Sequence, residues 1–186
     1  MKAKTNIFII NGVAGSGKDR FVKTLINTHG WQSEDFKRIY NMSLVDPIKE
    51  VINHLSYSQV DKTDKTRKLI SDLLINLEEY NECITSNLVH RVLDNIDKDR
   101  NAYNNVDSII FIHIRQAKYI DRVKKKLTTL IPDVVIRTIL LERKSITHVP
   151  DNDGDKDVYN YTYDIILNNT EDRIENLVRN FKEDYL

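Results

Sequence analysis

An α/β fold with a parallel sheet covered on both faces is predicted for this chain by three observations. Apolar runs at residues 7–10, 109–114 and 134–141 are long enough, and apolar enough, to be strands buried on both sides. Between them apolar residues return at helical spacing, so strands alternate with amphipathic helices. The first strand also leads into Gly12-Val13-Ala14-Gly15-Ser16-Gly17-Lys18, spaced G-x-x-x-x-G-K, with a helical pattern directly after it. Strand before and helix after are the context in which that spacing binds phosphate.

Each element has its own signal. Gly12 ends the first strand, and Phe21, Val22, Leu25 and Ile26 line one face of the helix that follows, which Thr28-His29-Gly30 stops. Residues 37–42 are a short strand candidate. Asp46 as N-cap with Pro47 in the first helical position marks the next helix. Residues 59–65 are polar and read as a loop. Leu69, Ile70, Leu73, Leu74 and Leu77, then Leu88, Val89, Val92, Leu93 and Ile96, place two helices or one bent helix between Asp64 and Lys98. A strand over 107–115 is followed by a helix with Ile120, Val123, Leu127 and Leu130 inward, which Pro132-Asp133 breaks. β-branched residues fill the strand at 134–141. Pro150, Gly154 and four aspartates make 143–158 the candidate mobile loop. A last strand at 163–167 turns through Asn168, Asn169 and Thr170 into a helix with Ile174, Leu177, Val178 and Phe181 on one face. No repeat or linker divides the 186 residues, so one domain is expected.

Composition narrows the function classes. Lysine plus arginine equals aspartate plus glutamate at 28 each, so nucleic acid is not expected as a bulk partner. The single cysteine, Cys83, excludes an internal disulfide, fits a reducing cytoplasm and reads as a small core residue. The first six residues are too polar for a signal peptide and no apolar stretch reaches a membrane span. A cytoplasmic location without membrane contact is the expectation, with oligomeric state open and a homodimer among the options.

The chemistry is expected beyond the carboxyl ends of the strands, where ligands of open parallel sheets lie. Glycines at 12, 15 and 17 let the loop curl its N–H groups toward one anion, and the helix behind adds its positive end. Lys18 reaches the outer phosphates as a mobile charge. Asp19 stands where a Ser or Thr hydroxyl normally touches Mg²⁺; it either holds the metal through a water or marks a helix start. Arg115, just after the second strong strand, offers a fork that matches phosphate bidentately. His113 alternates with Ile112 and Ile114 and reads as a structural histidine or, as the lesser option, a general base. Lys62, Lys65, Arg67 and Lys68 taken alone read as a solvated surface. Tyr159, Tyr161 and Tyr163 alternate in an extended segment, for which core or hinge packing is the default and base stacking the minority option.

Gly12 to Asp19, Asp46-Pro47-Ile48-Lys49, the Lys65-x-Arg67 helix start, Ile114-Arg115-Gln116 and the ending Tyr163-Asp-Ile-Ile-Leu-Asn-Asn-Thr-Glu-Asp together resemble the phage-type deoxynucleoside monophosphate kinases. These belong to the nucleoside monophosphate kinase group of phosphate-loop proteins. The likeness runs in order from near residue 6 to near 181 and leaves 78–106 without a motif. It implies a five-stranded parallel sheet of order 2-3-1-4-5 with helices on both faces, a monophosphate-binding region over about 42–100 and a lid over about 143–158. It implies transfer of the ATP γ-phosphoryl group to a nucleoside monophosphate with Mg²⁺. Gly12, Val13, Ala14, Gly15, Ser16, Gly17, Lys18, Asp19 and Arg20 would hold ATP, with Asp19 toward the metal. Lys49, Lys65, Arg67 and Gln116 would serve the monophosphate, Arg115 would clamp its phosphate, and Arg143 would move in with the lid. Two departures stand out: His113 occupies a position commonly acidic in the family, and 144–158 is poor in arginine and rich in aspartate. Related kinases acting on dephospho-coenzyme A or phosphomevalonate share several of these features, so the acceptor stays open, as does a nucleotide-binding module without kinase activity.

Overall fold

The computed structural model describes residues 4–29, 37–56, 61, 63–102, 106–131, 134–143, 157–169 and 174–186. In chain order they form β1 (Thr5–Asn11), α1 (Lys18–His29), β2 (Lys37–Ser43), α2 (Asp46–Ser56), α3 (Asp64–Asn81), α4 (Cys83–Ala102), β3 (Asp107–His113), α5 (Ala117–Leu130), β4 (Val135–Glu142), a 3-10 turn (Val158–Asn160), β5 (Ile165–Asn168) and α6 (Ile174–Tyr185). The five strands make one sheet in the order β2-β3-β1-β4-β5, and every pair is parallel. This is the expected sheet, with the phosphate-loop strand at its centre. The helix stop at Gly30, the breaker Pro132-Asp133 and most of the expected lid, 144–156, lie outside the described residues. Among the described residues no helix is long and apolar enough to cross a membrane.

Alternation along β1 sets the layers. Ile7 and Ile9 point into a core filled from α2, α3, α4 and α5, whereas Phe8 and Ile10 point into one filled from α1 and α6. Phe8 stacks on Phe111 at 5.3 Å and meets Phe181 edge-on at 5.1 Å, and Phe21 meets Phe181 edge-on at 5.4 Å. Such pairs add about 0.5–1.5 kcal/mol each beyond the area they bury. They fasten α1 and α6 beneath the loop that β1 emits.

The motif-poor middle of the chain turns out to be the other support. α4 lies on the sheet, and Asp99 near its end is fully buried. Its carboxylate accepts from Ser108 Oγ at 2.7 Å and Tyr40 Oη at 2.8 Å, and pairs with Arg38 at 3.4 Å. A buried carboxylate is tolerable only when so matched.

Four local expectations change. The bent-helix alternative fails because Glu82, in the left-handed region at φ 55°, ends α3, while its carbonyl accepts the first helical bond of α4 from Ser86. Asp46 is not a side-chain cap of α2: its carboxylate turns back to the Ser43 N–H at 2.6 Å, and the first helical bond runs from Lys49 to the Val45 carbonyl. The last strand starts at Ile165 rather than 163, because the Asp164 carboxylate takes the Thr138 N–H and hydroxyl that would otherwise face the neighbouring strand. Cys83 is half-buried rather than a core residue, its Sγ 3.5 Å from the Leu77 carbonyl.

The α3–α4 joint yields a test. Buried Glu78 accepts from Thr85 N–H at 2.6 Å, Thr85 Oγ1 at 3.0 Å and Arg122 at 2.7 Å, whereas half-exposed Glu82 only pairs with Arg122 and Lys126. Glu78→Ala strands the buried Thr85 N–H, while the Thr85 hydroxyl can turn to the Glu82 carbonyl at 3.1 Å, and is expected to cost about 1–3 kcal/mol. Glu82→Ala removes exposed, solvent-screened pairs and is expected to leave the unfolding midpoint nearly unchanged. Urea unfolding midpoints of the two variants check this, and equal losses would refute the assigned roles.

Candidate functional site

The site is built from the turn after β1. Gly12, Gly15 and Gly17 all take positive φ, at 145°, 82° and 97°. At two of them space as well as conformation demands glycine: a Cβ on residue 12 would strike the Leu141 carbonyl, and one on residue 17 would lie 2.6 Å from Asn169 Nδ2. The loop is thus pressed between the ends of β4 and β5. Its first helical bond, Phe21 N–H to the Gly17 carbonyl at 2.8 Å, starts α1. Lys18 folds back over the loop, donating to the Gly12 carbonyl, to Val13 O at 3.0 Å and to Ser16 Oγ at 3.2 Å. Val13 and Ser16 are buried, Ala14 is partly so, and Gly15 and Asp19 face outward. An ammonium over a ring of backbone, at the positive end of a helix, has the chemistry to hold an anion.

Two asparagines hold this loop. Asn11, fully buried at the end of β1, accepts the Gly12 N–H on Oδ1 at 2.7 Å and donates from Nδ2 to the Arg115 carbonyl at 2.9 Å and Tyr163 Oη at 2.8 Å. Asn169 donates its own N–H to the Glu142 carbonyl at 2.7 Å and its Nδ2 to the Ser16 carbonyl at 2.8 Å. Sequence reasoning missed Asn11, although a polar residue ending an otherwise apolar strand was the available signal. Asn169 was expected near the site, and its grip on the loop is what the structure adds.

The expected site residues divide. Arg115 follows β3, the strand beside β1, and lies exposed at the mouth with its backbone fixed by Asn11. Gln116 precedes α5 without capping it, and its Oε1 is buried with no hydrogen-bond partner among the described residues. Arg143 is half-buried just beyond β4. Lys49 pairs with Asp46 at 3.1 Å on the first turn of α2. Lys65 and Arg67 are exposed on the first turn of α3, and Arg67 pairs with Asp64 at 3.0 Å in that same turn. Neither makes a hydrogen bond or ion pair to the phosphate loop among the described residues. Arg20 lies 3.7 Å from Glu175, tying α1 to α6.

His113 ends β3 inside this group. Its Nε2 lies 2.7 Å from Asn41 Oδ1, so the ring donates there and keeps its second nitrogen as an acceptor while neutral. Burial pushes its pKa down to about 4, with Asp19 and Asp46 raising it and Lys18 and Lys49 lowering it. Those four neighbours place the imidazole in the cleft between the phosphate loop and α2. His113 is thus a hydrogen-bonded ring at the carboxyl end of β3, among the residues expected near the site. The tyrosines pack as expected by default: Tyr161 and Tyr163 meet edge-on at 5.0 Å, and Tyr159 is half-exposed on a 3-10 turn rather than in an extended run.

For Mg²⁺ the donor chemistry is suitable. Asp19 offers carboxylate oxygens beside Lys18, and no group of three or more His, Cys, Asp or Glu poised to hold a metal occurs among the described residues. Magnesium keeps waters and shares nucleotide phosphates rather than needing an all-protein cage, so one carboxylate suffices.

No protein-family model matches the chain, and no curated protein does. Solved structures align with it over nearly the whole length. One is described as APE1195, at 13% identity and TM-score 0.47, covering 97% of this chain and 94% of its own. Another is a sugar kinase from Janibacter sp. HTCC2649, at 14% and 0.44, covering 96% and 93%. A third is TT1252 from Thermus thermophilus, at 15% and 0.46, covering 98% and 96%. Likenesses this distant say nothing of activity.

The depressed imidazole has a consequence for stability. Above pH 6.5 His113 is neutral whether folded or unfolded. As pH falls from 6.5 to about 4 the unfolded chain binds a proton that the folded protein refuses, so stability declines through that window. The loss is expected to be on the order of 2 kcal/mol. Urea midpoints at a series of pH values should show it for the natural protein and a shallower slope for His113→Gln. Parallel slopes would show that the ring titrates normally.

Proposed function

We propose that the chain transfers the γ-phosphoryl group of ATP, with Mg²⁺, to a nucleoside or deoxynucleoside monophosphate, giving the diphosphate. One observation carries the reading. Asn11 fixes the glycine loop and the Arg115 backbone to one buried amide, so Lys18 and Arg115 flank the carboxyl ends of β1 and β3 together. A phosphate cradle alone binds a nucleotide. A forked cation on the next strand is what a second phosphate, the acceptor's, would need.

In this reading residues 12–20 receive the ATP phosphates and Lys18 releases its loop carbonyls to follow the outermost ones. Asp19 would hold Mg²⁺, through water, which supplies charge neutralisation on the phosphates when bound. Arg115 holds the acceptor phosphate in line and spreads the charge that develops in transfer. Lys49 and Arg143 bring further positive charge from α2 and from the segment after β4. The unmatched Gln116 Oε1 is an acceptor suited to an N–H or hydroxyl of the acceptor molecule. Lys65 and Arg67 belong to this pocket only if α3 moves inward, since Arg67 is engaged with Asp64. Residues 42–100 would carry the monophosphate and 143–158 would form the lid. No covalent nucleophile is needed, because phosphoryl transfer relies on positioning and charge.

Lys18→Ala is expected to abolish stabilisation by ATP–Mg²⁺ in a thermal-shift assay while leaving the unliganded melting temperature within a few degrees, on the order of 1 kcal/mol. Arg115→Ala is expected to bind ATP within a few-fold of the natural protein and to lose about 10²–10⁴ in transfer rate, with Arg115→Lys impaired nearly as much. The assay compares ATP affinity and transfer across a panel of ribo- and deoxynucleoside monophosphates, with dephospho-coenzyme A included. Transfer only to the last would change the acceptor; transfer to none would leave a nucleotide-binding module.

A further inference from the structure

The side chains of Asn11 and Tyr163 form a chain of hydrogen bonds whose polarity is forced at every step. Arg115 and Val158 offer carbonyls, which only accept. Tyr163 spends its one hydroxyl hydrogen on the Val158 carbonyl at 2.8 Å, so its oxygen must accept from Asn11. Both hydrogens of the Asn11 amide are then committed, and its oxygen is left for the Gly12 N–H. Rotating the amide by half a turn would set its oxygen against a carbonyl and its NH₂ against an N–H. The amide is therefore locked, and it is fully buried. Burial also raises the Tyr163 phenol to about 12, so the hydroxyl keeps its proton and remains a donor.

These bonds reach across the sheet. Asn11 ends β1, Arg115 follows β3 on one side, and Tyr163 leads into β5 beyond β4 on the other. Val158, buried with Val13, Leu140 and Tyr163, opens the 3-10 turn. We propose that Asn11 and Tyr163 act as a positioning pair, through which a shift of the phosphate loop on binding nucleotide is passed to the Arg115 backbone and to the Val158 turn. The kinetic part of this proposal rests on the phosphotransfer reading above; the nucleotide-linked part does not.

Tyr163→Phe removes one oxygen and keeps the ring against Tyr161. Tyr161→Phe is the matched control, since it breaks only the hydrogen bond to Asp121 at 2.8 Å on the far side of the ring pair. Hydrogen exchange of amides 157–161 is measured with and without a non-hydrolysable ATP analogue. The natural protein and Tyr161→Phe should show a nucleotide-dependent change there. Tyr163→Phe should lose it while binding the analogue within about threefold of the natural affinity. In steady-state assays Tyr163→Phe should lower kcat about tenfold with KM for ATP little changed, and should cost nothing further in the Arg115→Ala background. An equal exchange response in Tyr163→Phe, no response in the natural protein, or the same loss in Tyr161→Phe overturns the pair. Additive kinetics with Arg115→Ala overturns its route through the arginine. If the natural protein transfers no phosphate, the phosphotransfer reading fails, and the exchange arm still decides the pair.

Discussion

The structure depends on a close approach. β1 is buried on both faces and paired on both edges, and where it ends the chain must turn with the Leu141 carbonyl occupying the place of any side chain at residue 12. Glycine alone fits, and with positive φ at residues 12, 15 and 17 the loop curls beneath Lys18, which donates to its carbonyls. Asn169 presses on the loop at Gly17, and Asn11 holds its first N–H. The loop is thus shaped by the ends of three strands, and every other group in the site is placed relative to it.

Electrostatics at the mouth follow from what surrounds the loop. Lys18, Lys49 and Arg115 bring positive charge, Asp19 and Asp46 bring negative, and the imidazole between them stays neutral because burial outweighs the two carboxylates. A carboxylate at position 113 would have added a charge that phosphates repel and a metal attracts. The neutral ring carries no charge to repel phosphate, and Asp19 and Asp46 supply the carboxylates around it. The loop lysine itself is matched by backbone, donating to the Gly12 and Val13 carbonyls.

Support comes from two kinds of packing. On one face aromatic rings of β1, β3, α1 and α6 interlock, so the helix that starts the phosphate site cannot tilt without breaking them. On the other face α4 is held by a buried carboxylate, Asp99, and joined to α3 through a single left-handed residue over buried Glu78. The first face is apolar throughout, whereas the second adds buried, matched carboxylates to its apolar core.

How much of this was legible depended on whether the determinant was local. Periodicity located the strands and helices, because burial of one face imposes a period of two or 3.6 wherever the element lies. The spacing Gly12 to Lys18 located the tight glycine loop, because a backbone turn of that kind constrains residues only a few positions apart. The motif-poor stretch 78–106 was opaque because Glu78 and Asp99 act through partners elsewhere, Arg122 on α5 and Arg38, Tyr40 and Ser108 on β2 and β3. Asn11 escaped notice for the same reason: two of its three partners are 104 and 152 residues away. His113 could be assigned to neither face until β2 and α2 were in place around it. What the sequence by itself determined, then, was the alternation of elements and the tight glycine loop, both set by neighbours along the chain. Which asparagine steadies that loop, which arginine stands beside it and which carboxylates are buried were decided only by tertiary structure, because a buried polar atom is defined by the partner that satisfies it.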